Sequence, residues 1–373
     1  MLIVAAEASS ALYAQRLLEE LKKQYPSVHS FGVGSQAMEA LGFERIGCSE
    51  KMAVVGLQEV LAHWSEISSV FKQLLSEAQK RKPQFALLLD YPDFNLRLAK
   101  KLKAQGIRVI YYISPQVWAW RSSRIHQIKK FVDLMLVVFP FEEAFYKKHG
   151  VPVRFVGHPL LDELERLKRP ENLRERFGIQ KEEVLLALMP GSRKSEIKHH
   201  LSVQLEVAKR LLRRNQNLKI ALLLAPSLSK EDLNPYLKNL DFPLIVMQEE
   251  PLKMVSVADI VLTASGTATL IVGLLEKPMV IMYKMNRLTA YLIRRLVRST
   301  PFFGMINLIL GKEVVPEFFQ EQASVENLEQ AIQSYLNDPQ KRKQTQEQLK
   351  LVKERLGHRG ATQRVLDIIG EYL

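Results

Sequence analysis

Cysteine is the scarcest residue: Cys48 is the only one in 373 positions. A single thiol excludes an intrachain disulfide and cannot supply a thiolate metal cluster. Histidine adds little, because His199 and His200 are adjacent and neighbouring residues on a helix point apart. No His-based metal site is therefore expected. Long hydrophobic runs are also missing. The longest uncharged stretch, Ile260 to Leu275, is broken by Thr263, Ser265, Gly266 and Thr267, so it does not read as a membrane span. Met1 to Ala6 runs straight into an apolar strand-like segment without a basic flank or cleavage site, so a secretory signal is not expected. The chain reads as soluble or peripheral. Three motifs are absent as well: Walker A, G-x-G-x-x-G and D-x-D. The first two absences argue against ATPase and dehydrogenase chemistry, the third against a metal-bridged nucleotide-sugar. No cofactor is expected.

What the chain does contain is globular in kind, with 47% hydrophobic and 25% charged residues. Its length exceeds one core and suits two. Lysine and arginine number 53 against 40 acids, a net charge of +13. That excess fits a polyanionic partner such as nucleic acid, anionic lipid or a sugar phosphate, or else a solvated surface.

Short apolar runs alternate with longer amphipathic stretches. Leu2–Ala6, Phe85–Asp90, Val109–Ile113, Leu134–Phe139 and Val153–Val156 are bounded like buried parallel strands. Helix-like pieces, Leu12–Tyr25 and Arg97–Gln105, lie between them, the second closed by Gly106. The charged segment from Asp162 to Lys181, with Pro170 inside it, carries no core strand and marks a boundary. The pattern then restarts with Val184–Met189, Ile220–Ala225, Leu244–Met247, Ile260–Ala264 and Met279–Tyr283. Alternating strands and helices predict an α/β protein of two doubly wound, Rossmann-like domains facing a central cleft. The expected divisions are 1–160, 161–340 and a helical tail over 341–373, broken near Gly357 and Gly360 and packing back across the junction.

Ligands of open parallel sheets bind beyond the carboxyl ends of the strands, so the residues after each strand are the candidates. After the first strand come Glu7, Ala8, Ser9 and Ser10. They suit either a helix N-terminus or a carboxylate at a cleft rim. Asp90 ends an apolar strand, where burial could raise its pKa towards a base's useful range. Asp93 competes with it, or merely starts the next helix. Pro190-Gly191-Ser192-Arg193 leads from a strand into a helix. Glycine lets a ligand approach the backbone, and arginine can grip phosphate bidentately. Ser265-Gly266-Thr267 repeats this small-residue helix start, and two such turns in one sheet suit a diphosphate.

Several segments, in order and over nearly the whole chain, resemble the lipid-A-disaccharide synthase family. They are Leu89-Asp90-Tyr91-Pro92-Asp93-Phe94-Asn95, Ser114-Pro115-Gln116-Val117-Trp118-Ala119-Trp120-Arg121, Phe139-Pro140-Phe141-Glu142, Gly157-His158-Pro159, Pro190-Gly191-Ser192-Arg193, Ala264-Ser265-Gly266-Thr267-Ala268, Asn307-Leu308-Ile309-Leu310-Gly311 and Leu356-Gly357-His358-Arg359-Gly360-Ala361. The resemblance implies a glycosyltransferase fold of the B type and an inverting, metal-independent transfer. The donor would be UDP-2,3-diacylglucosamine and the acceptor the 6-hydroxyl of 2,3-diacylglucosamine 1-phosphate, giving a β-1,6 disaccharide and UDP. By motif, Asp90 would be the general base or its partner and Glu7 would lie on the acceptor side. Gly191, Ser192, Arg193, Ser265, Gly266 and Thr267 would hold the diphosphate, with Asn307 on the nucleotide side. Two segments depart from the family pattern. Ala6-Glu7-Ala8-Ser9-Ser10-Ala11 stands where Gly-Glu-Ala-Ser-Gly-Asp is usual, and Ile271 stands where a glutamate grips the ribose. A diverged paralogue is the alternative, either another UDP-sugar transferase or epimerase, or a non-catalytic nucleotide-sugar binder at a membrane.

Leu57, Leu61, Trp64, Ile67, Phe71 and Leu74 recur at helical spacing. They suit either a helix packed on its own sheet or an apolar face dipping into the bilayer to reach acylated substrates. Arg294, Arg295 and Arg298 stand beside apolar residues, which suits an anionic membrane surface. The expected setting is peripheral, on the cytoplasmic face of the cell membrane. Partners are the two acyl-sugars, that surface and a second copy of the chain; no recognition helix or stacking motif speaks for nucleic acid.

Overall fold

A computed structural model describes residues 1–52, 64–118, 123–167, 172–225, 227–248, 251–286, 290 and 302–373. The chain divides into two units, Met1–Asp162 with Leu356–Leu373, and Glu163–Arg355.

The first unit carries a seven-stranded parallel sheet in the order β3-β2-β1-β4-β5-β6-β7. Its strands are β1 (Leu2–Ala5), β2 (Phe31–Gly34), β3 (Glu44–Cys48), β4 (Phe85–Leu89), β5 (Arg108–Tyr112), β6 (Leu134–Val137) and β7 (Val153–Phe155). The central strands are buried on both faces, as their unbroken Leu, Ile and Val content requires. The second unit carries six parallel strands in the order β10-β9-β8-β11-β12-β13. They are β8 (Val184–Met189), β9 (Leu218–Leu223), β10 (Ile245–Met247), β11 (Ile260–Ala264), β12 (Met279–Tyr283) and β13 (Glu317–Phe319). Two doubly wound α/β units are therefore present, as the alternation of strands and helices predicts. The periodicity missed β2, β3 and β13, for reasons of composition. Half of β2 is glycine, β3 is a charged edge strand, and β13 has only three residues.

The tail divides between the units. The helix Pro339–Leu356 belongs with the second unit, to which Lys353 is tied by an ion pair with Glu276 at 2.7 Å. The helix Ala361–Gly370 belongs to the first. Asp162 caps its start, accepting from the Gly360 N–H at 2.6 Å and the Thr362 N–H at 2.9 Å. The Arg364 Nε donates to the Val156 carbonyl at 2.7 Å.

In a doubly wound sheet, the crossovers on either side of the first strand run to opposite faces, which leaves a crevice beyond its carboxyl end. That switch point lies between β1 and β4 in the first sheet, with Ala5 beside Leu89. In the second it lies between β8 and β11, with Met189 beside Thr263.

The helix Trp64–Arg81 packs on the first sheet. Ile67 and Leu74 are core residues, and Phe71 lies edge-on to Phe94 with ring centroids 5.4 Å apart. Phe71 thus packs against the core of the first unit with part of its ring left exposed, as the packed-helix alternative expects. Replacing Phe71 with serine should cost about 2 kcal/mol of stability, since its ring is partly rather than fully buried. A denaturation midpoint unchanged from wild type would return Phe71 to the surface. Leu57, Leu61, the Trp64 side chain, Arg294, Arg295 and Arg298 lie outside the described residues.

Candidate active site

Both acidic candidates of the first unit stand at its switch point. Glu7 follows β1 and begins the helix Ala8–Gln24, where Ser10 Oγ accepts from the Glu7 N–H at 3.1 Å. This is the helix start that the small residues suggest, with a half-buried carboxylate at its rim. Asp90 follows β4 and is half-buried too. Burial pushes the Tyr91 phenol up to about 12, and the negative charges of Glu7 and Asp93 add to that shift. Glu7 and Asp93 therefore both lie near Tyr91. Asp93 lies in the first turn of the helix Pro92–Ala104, ion-paired with Arg124. The cap of that helix is Tyr91, not Asp93.

One carboxylate that periodicity does not single out joins two of the recognised segments. Glu142 is fully buried. It accepts from Ser114 Oγ at 2.6 Å, Trp118 Nε1 at 3.2 Å and the backbone N–H groups of Phe139 at 3.1 Å and Val138 at 3.3 Å. It thereby ties the exit of β5 to the exit of β6. Burial pushes its carboxyl up to about 7, against the pull of these four bonds. The unfolded chain ionises this group near 4.5. Its contribution to stability is therefore complete below that pH and is lost as pH rises towards 7, by on the order of 3 kcal/mol. A pH series of melting temperatures should show that fall in the wild type and a flatter profile in Glu142→Gln. Identical profiles would mean that Glu142 does not titrate in this window. Nearby, burial lowers the His158 imidazole to about 3, so it is neutral, and its Nδ1 accepts from the Leu160 N–H at 3.2 Å.

The second unit repeats the arrangement with cations and glycines. Gly191 follows β8 with φ at 132°, and a Cβ there would meet Glu196 Oε2 at 2.3 Å. Only glycine fits this turn. Glu196 in turn accepts from the Ser192 N–H at 2.8 Å and from the Arg193 guanidinium at 3.2 Å. Arg193 caps the helix Lys194–Leu212 and is partly exposed. The loop is also held from behind. His200 Nδ1 lies 2.6 Å from the Pro190 carbonyl, and its Nε2 accepts from the Lys284 N–H at 2.9 Å, which joins the exits of β8 and β12. Burial lowers the His200 pKa, in keeping with a neutral ring. After β11, Ser265 Oγ donates to the Phe303 carbonyl at 3.4 Å, and Gly266 begins the helix Thr267–Leu274. A Cβ at Gly266 would meet no described atom within 4 Å. Backbone N–H groups at such a start suit an anion.

These positions and the sequence can be set beside known proteins. The family model for lipid-A-disaccharide synthetase matches residues 1–366. A lipid-A-disaccharide synthase of Geobacter metallireducens is 41% identical over 374 aligned residues, covering 100% of this chain and 97% of that one. The chain belongs to the lipid-A-disaccharide synthase family. That membership makes it a hexosyltransferase by family. Solved structures agree on the fold. A UDP-N-acetylglucosamine 2-epimerase of Neisseria meningitidis superposes with a TM-score of 0.65 at 12% identity, covering 99% of each chain. The calicheamicin glycosyltransferase does so at 0.61 and 14% identity, covering 100% of this chain and 97% of that one. The fold is thus shared by epimerases and transferases, and the family distinguishes between them.

One expected family position stands differently. Asn307, placed by motif on the nucleotide side, is fully buried and committed to the protein. Its Nδ2 donates to the Val315 carbonyl and to Glu317 Oε1, each at 2.7 Å. Its Oδ1 accepts from the N–H groups of Val314 at 2.8 Å and Val315 at 3.1 Å. Glu317 also accepts from the N–H groups of Phe303 at 2.9 Å and Gly304 at 3.1 Å. Asn307 is therefore a brace for the segment that reaches Ser265, not a direct contact. Among the described residues no helix is long and apolar enough to cross a membrane, and no three acidic, histidine or cysteine side chains gather as metal ligands.

Proposed function

We propose that the chain joins UDP-2,3-diacylglucosamine to the 6-hydroxyl of 2,3-diacylglucosamine 1-phosphate, giving the β-1,6-linked disaccharide 1-phosphate and UDP. The observation that supports this most is the double occupancy of the switch points. Carboxylates stand at that of the first unit, and an arginine with two glycine-led helix starts at that of the second. In this reading Asp90 takes the proton of the acceptor hydroxyl, with Glu7 beside it on the acceptor side. The freed oxygen attacks the anomeric carbon from the face opposite UDP, so the configuration inverts as the bond to the diphosphate breaks. Arg193 and the N–H groups at Ser265–Thr267 take up the charge on the departing diphosphate. Both substrates carry acyl chains, and the net charge is +13, which supports a peripheral seat on an anionic membrane surface on the cytoplasmic side.

Release of UDP from the acylated donor tests the reading. It should require the acyl-sugar 1-phosphate and persist in EDTA. Release that ignores the acceptor, or that is lost in EDTA and restored by Mg²⁺, would contradict it.

A further inference from the structure

The chain leaves β4 through two consecutive non-glycine residues in the left-handed region, Asp90 at φ 48° and Tyr91 at φ 47°. A Cβ crowds the following carbonyl in that conformation, and a bulky tyrosine enters it reluctantly. Such strain persists only where the surroundings over-determine it, and it concentrates at working sites. Here the restraints are specific. The Asp90 carbonyl accepts from Asn95 Nδ2 at 2.8 Å and from Tyr111 Oη at 2.5 Å. The same Nδ2 donates to the Leu89 carbonyl at 3.1 Å. The Asp90 N–H donates to the Tyr112 carbonyl at 3.1 Å, and Tyr91 Oη donates to the Met52 carbonyl at 2.8 Å.

Asn95 and Tyr111 are both fully buried. Asn95 Oδ1 has no hydrogen-bond partner among the described residues, although a buried polar atom normally finds one. An amide kept for packing alone would be replaced by an apolar group at no loss. This one gives up half its capacity to hold two carbonyls at a strand end with the other half. We propose that Asn95 and Tyr111 are positioning residues, which clamp the Asp90 carbonyl and so aim the Asp90 carboxylate at the acceptor hydroxyl. The clamp's role in transfer rests on the reading of Asp90 as the base given above.

Tyr111→Phe removes one oxygen atom, and Asn95→Ser removes the amide. The test compares both variants with wild type and repeats each in an Asp90→Asn background. Turnover should fall about 3–10-fold in Tyr111→Phe. The loss should reach about 10²-fold in Asn95→Ser, as expected when a catalytic group is misplaced. The KM values of both sugars should hardly move. Amide hydrogen exchange should quicken at Asp90 and Tyr91 while the interior of β4 and β5 stays protected. In the Asp90→Asn background neither change should lower turnover further, because the group being aimed is already gone. Unchanged turnover in Tyr111→Phe, or an equal proportional loss in both backgrounds, would overturn the proposal. Should Asn95→Ser fail to fold, Tyr111→Phe decides alone. Full turnover in the Asp90→Asn single variant would instead sink the base reading and the aiming role with it, and the exchange data would still report whether the clamp holds the backbone.

Discussion

Asp90→Asn should leave the fold intact and slow disaccharide formation by roughly 10²–10⁴-fold, the usual scale for loss of a general base. The backbone role of residue 90 survives the change, since its N–H and carbonyl make the bonds to Tyr112, Asn95 and Tyr111. Asparagine also tolerates the left-handed conformation that Asp90 holds, with φ at 48°. The loss should therefore fall on turnover, with KM for both sugars close to wild type. Single-turnover kinetics on the folded variant would show it. Near-normal turnover would take Asp90 out of the mechanism and leave Glu7, which stands at the same switch point, or Asp93 as the base.

Replacing Arg193 with alanine should weaken UDP binding by about 10²–10³-fold, because a bidentate, charge-assisted contact is removed. The geometry adds a second penalty. Arg193 is paired with Glu196 at 3.2 Å, and Glu196 also accepts from the Ser192 N–H. Without the guanidinium, that carboxylate would stand uncompensated beside the incoming diphosphate. Ile271 is half-buried on the helix Thr267–Leu274, and by the proposed reading it stands where the family pattern has a ribose-gripping acid. Ile271→Glu should accordingly tighten UDP binding. Calorimetry with UDP on the wild type and both variants measures this directly. A wild type that binds no UDP, with no rescue in Ile271→Glu, would mean that these turns serve another ligand.

Much of this architecture was legible in the residues. Runs such as Phe85–Leu89 and Ile260–Ala264 are bounded like buried parallel strands and are strands, and the turns that follow them hold the candidate residues. The glycine of Pro190-Gly191-Ser192-Arg193 is demanded by the Glu196 side chain, a reason different from the ligand approach expected there. Other features depend on packing between distant segments and leave little trace in local pattern. Glu142 sits in Phe141-Glu142-Glu143, which reads as the wet start of an amphipathic helix. Only the fold brings Ser114 and Trp118 onto its carboxyl group. Its third place in a helix that begins at a proline was the available signal. Asn307 misled for a related reason. A polar residue in a recognised motif suggests a ligand contact, whereas Val314, Val315 and Glu317 consume its whole side chain. Phe71 shares a helical stripe with residues proposed for the membrane, yet Phe94 lies against it. Periodicity identifies an apolar face and cannot say what covers it.

The proposed reaction forms a glycosidic bond between two acylated glucosamines. Purified protein incubated with UDP-2,3-diacylglucosamine and 2,3-diacylglucosamine 1-phosphate, followed by mass analysis of the lipid products, tests it most directly. One new species is expected, with the mass of the tetraacyl disaccharide 1-phosphate, absent when either sugar is omitted and strongly reduced in Asp90→Asn. Recovery of both sugars unchanged, from folded protein that still binds UDP, would contradict it.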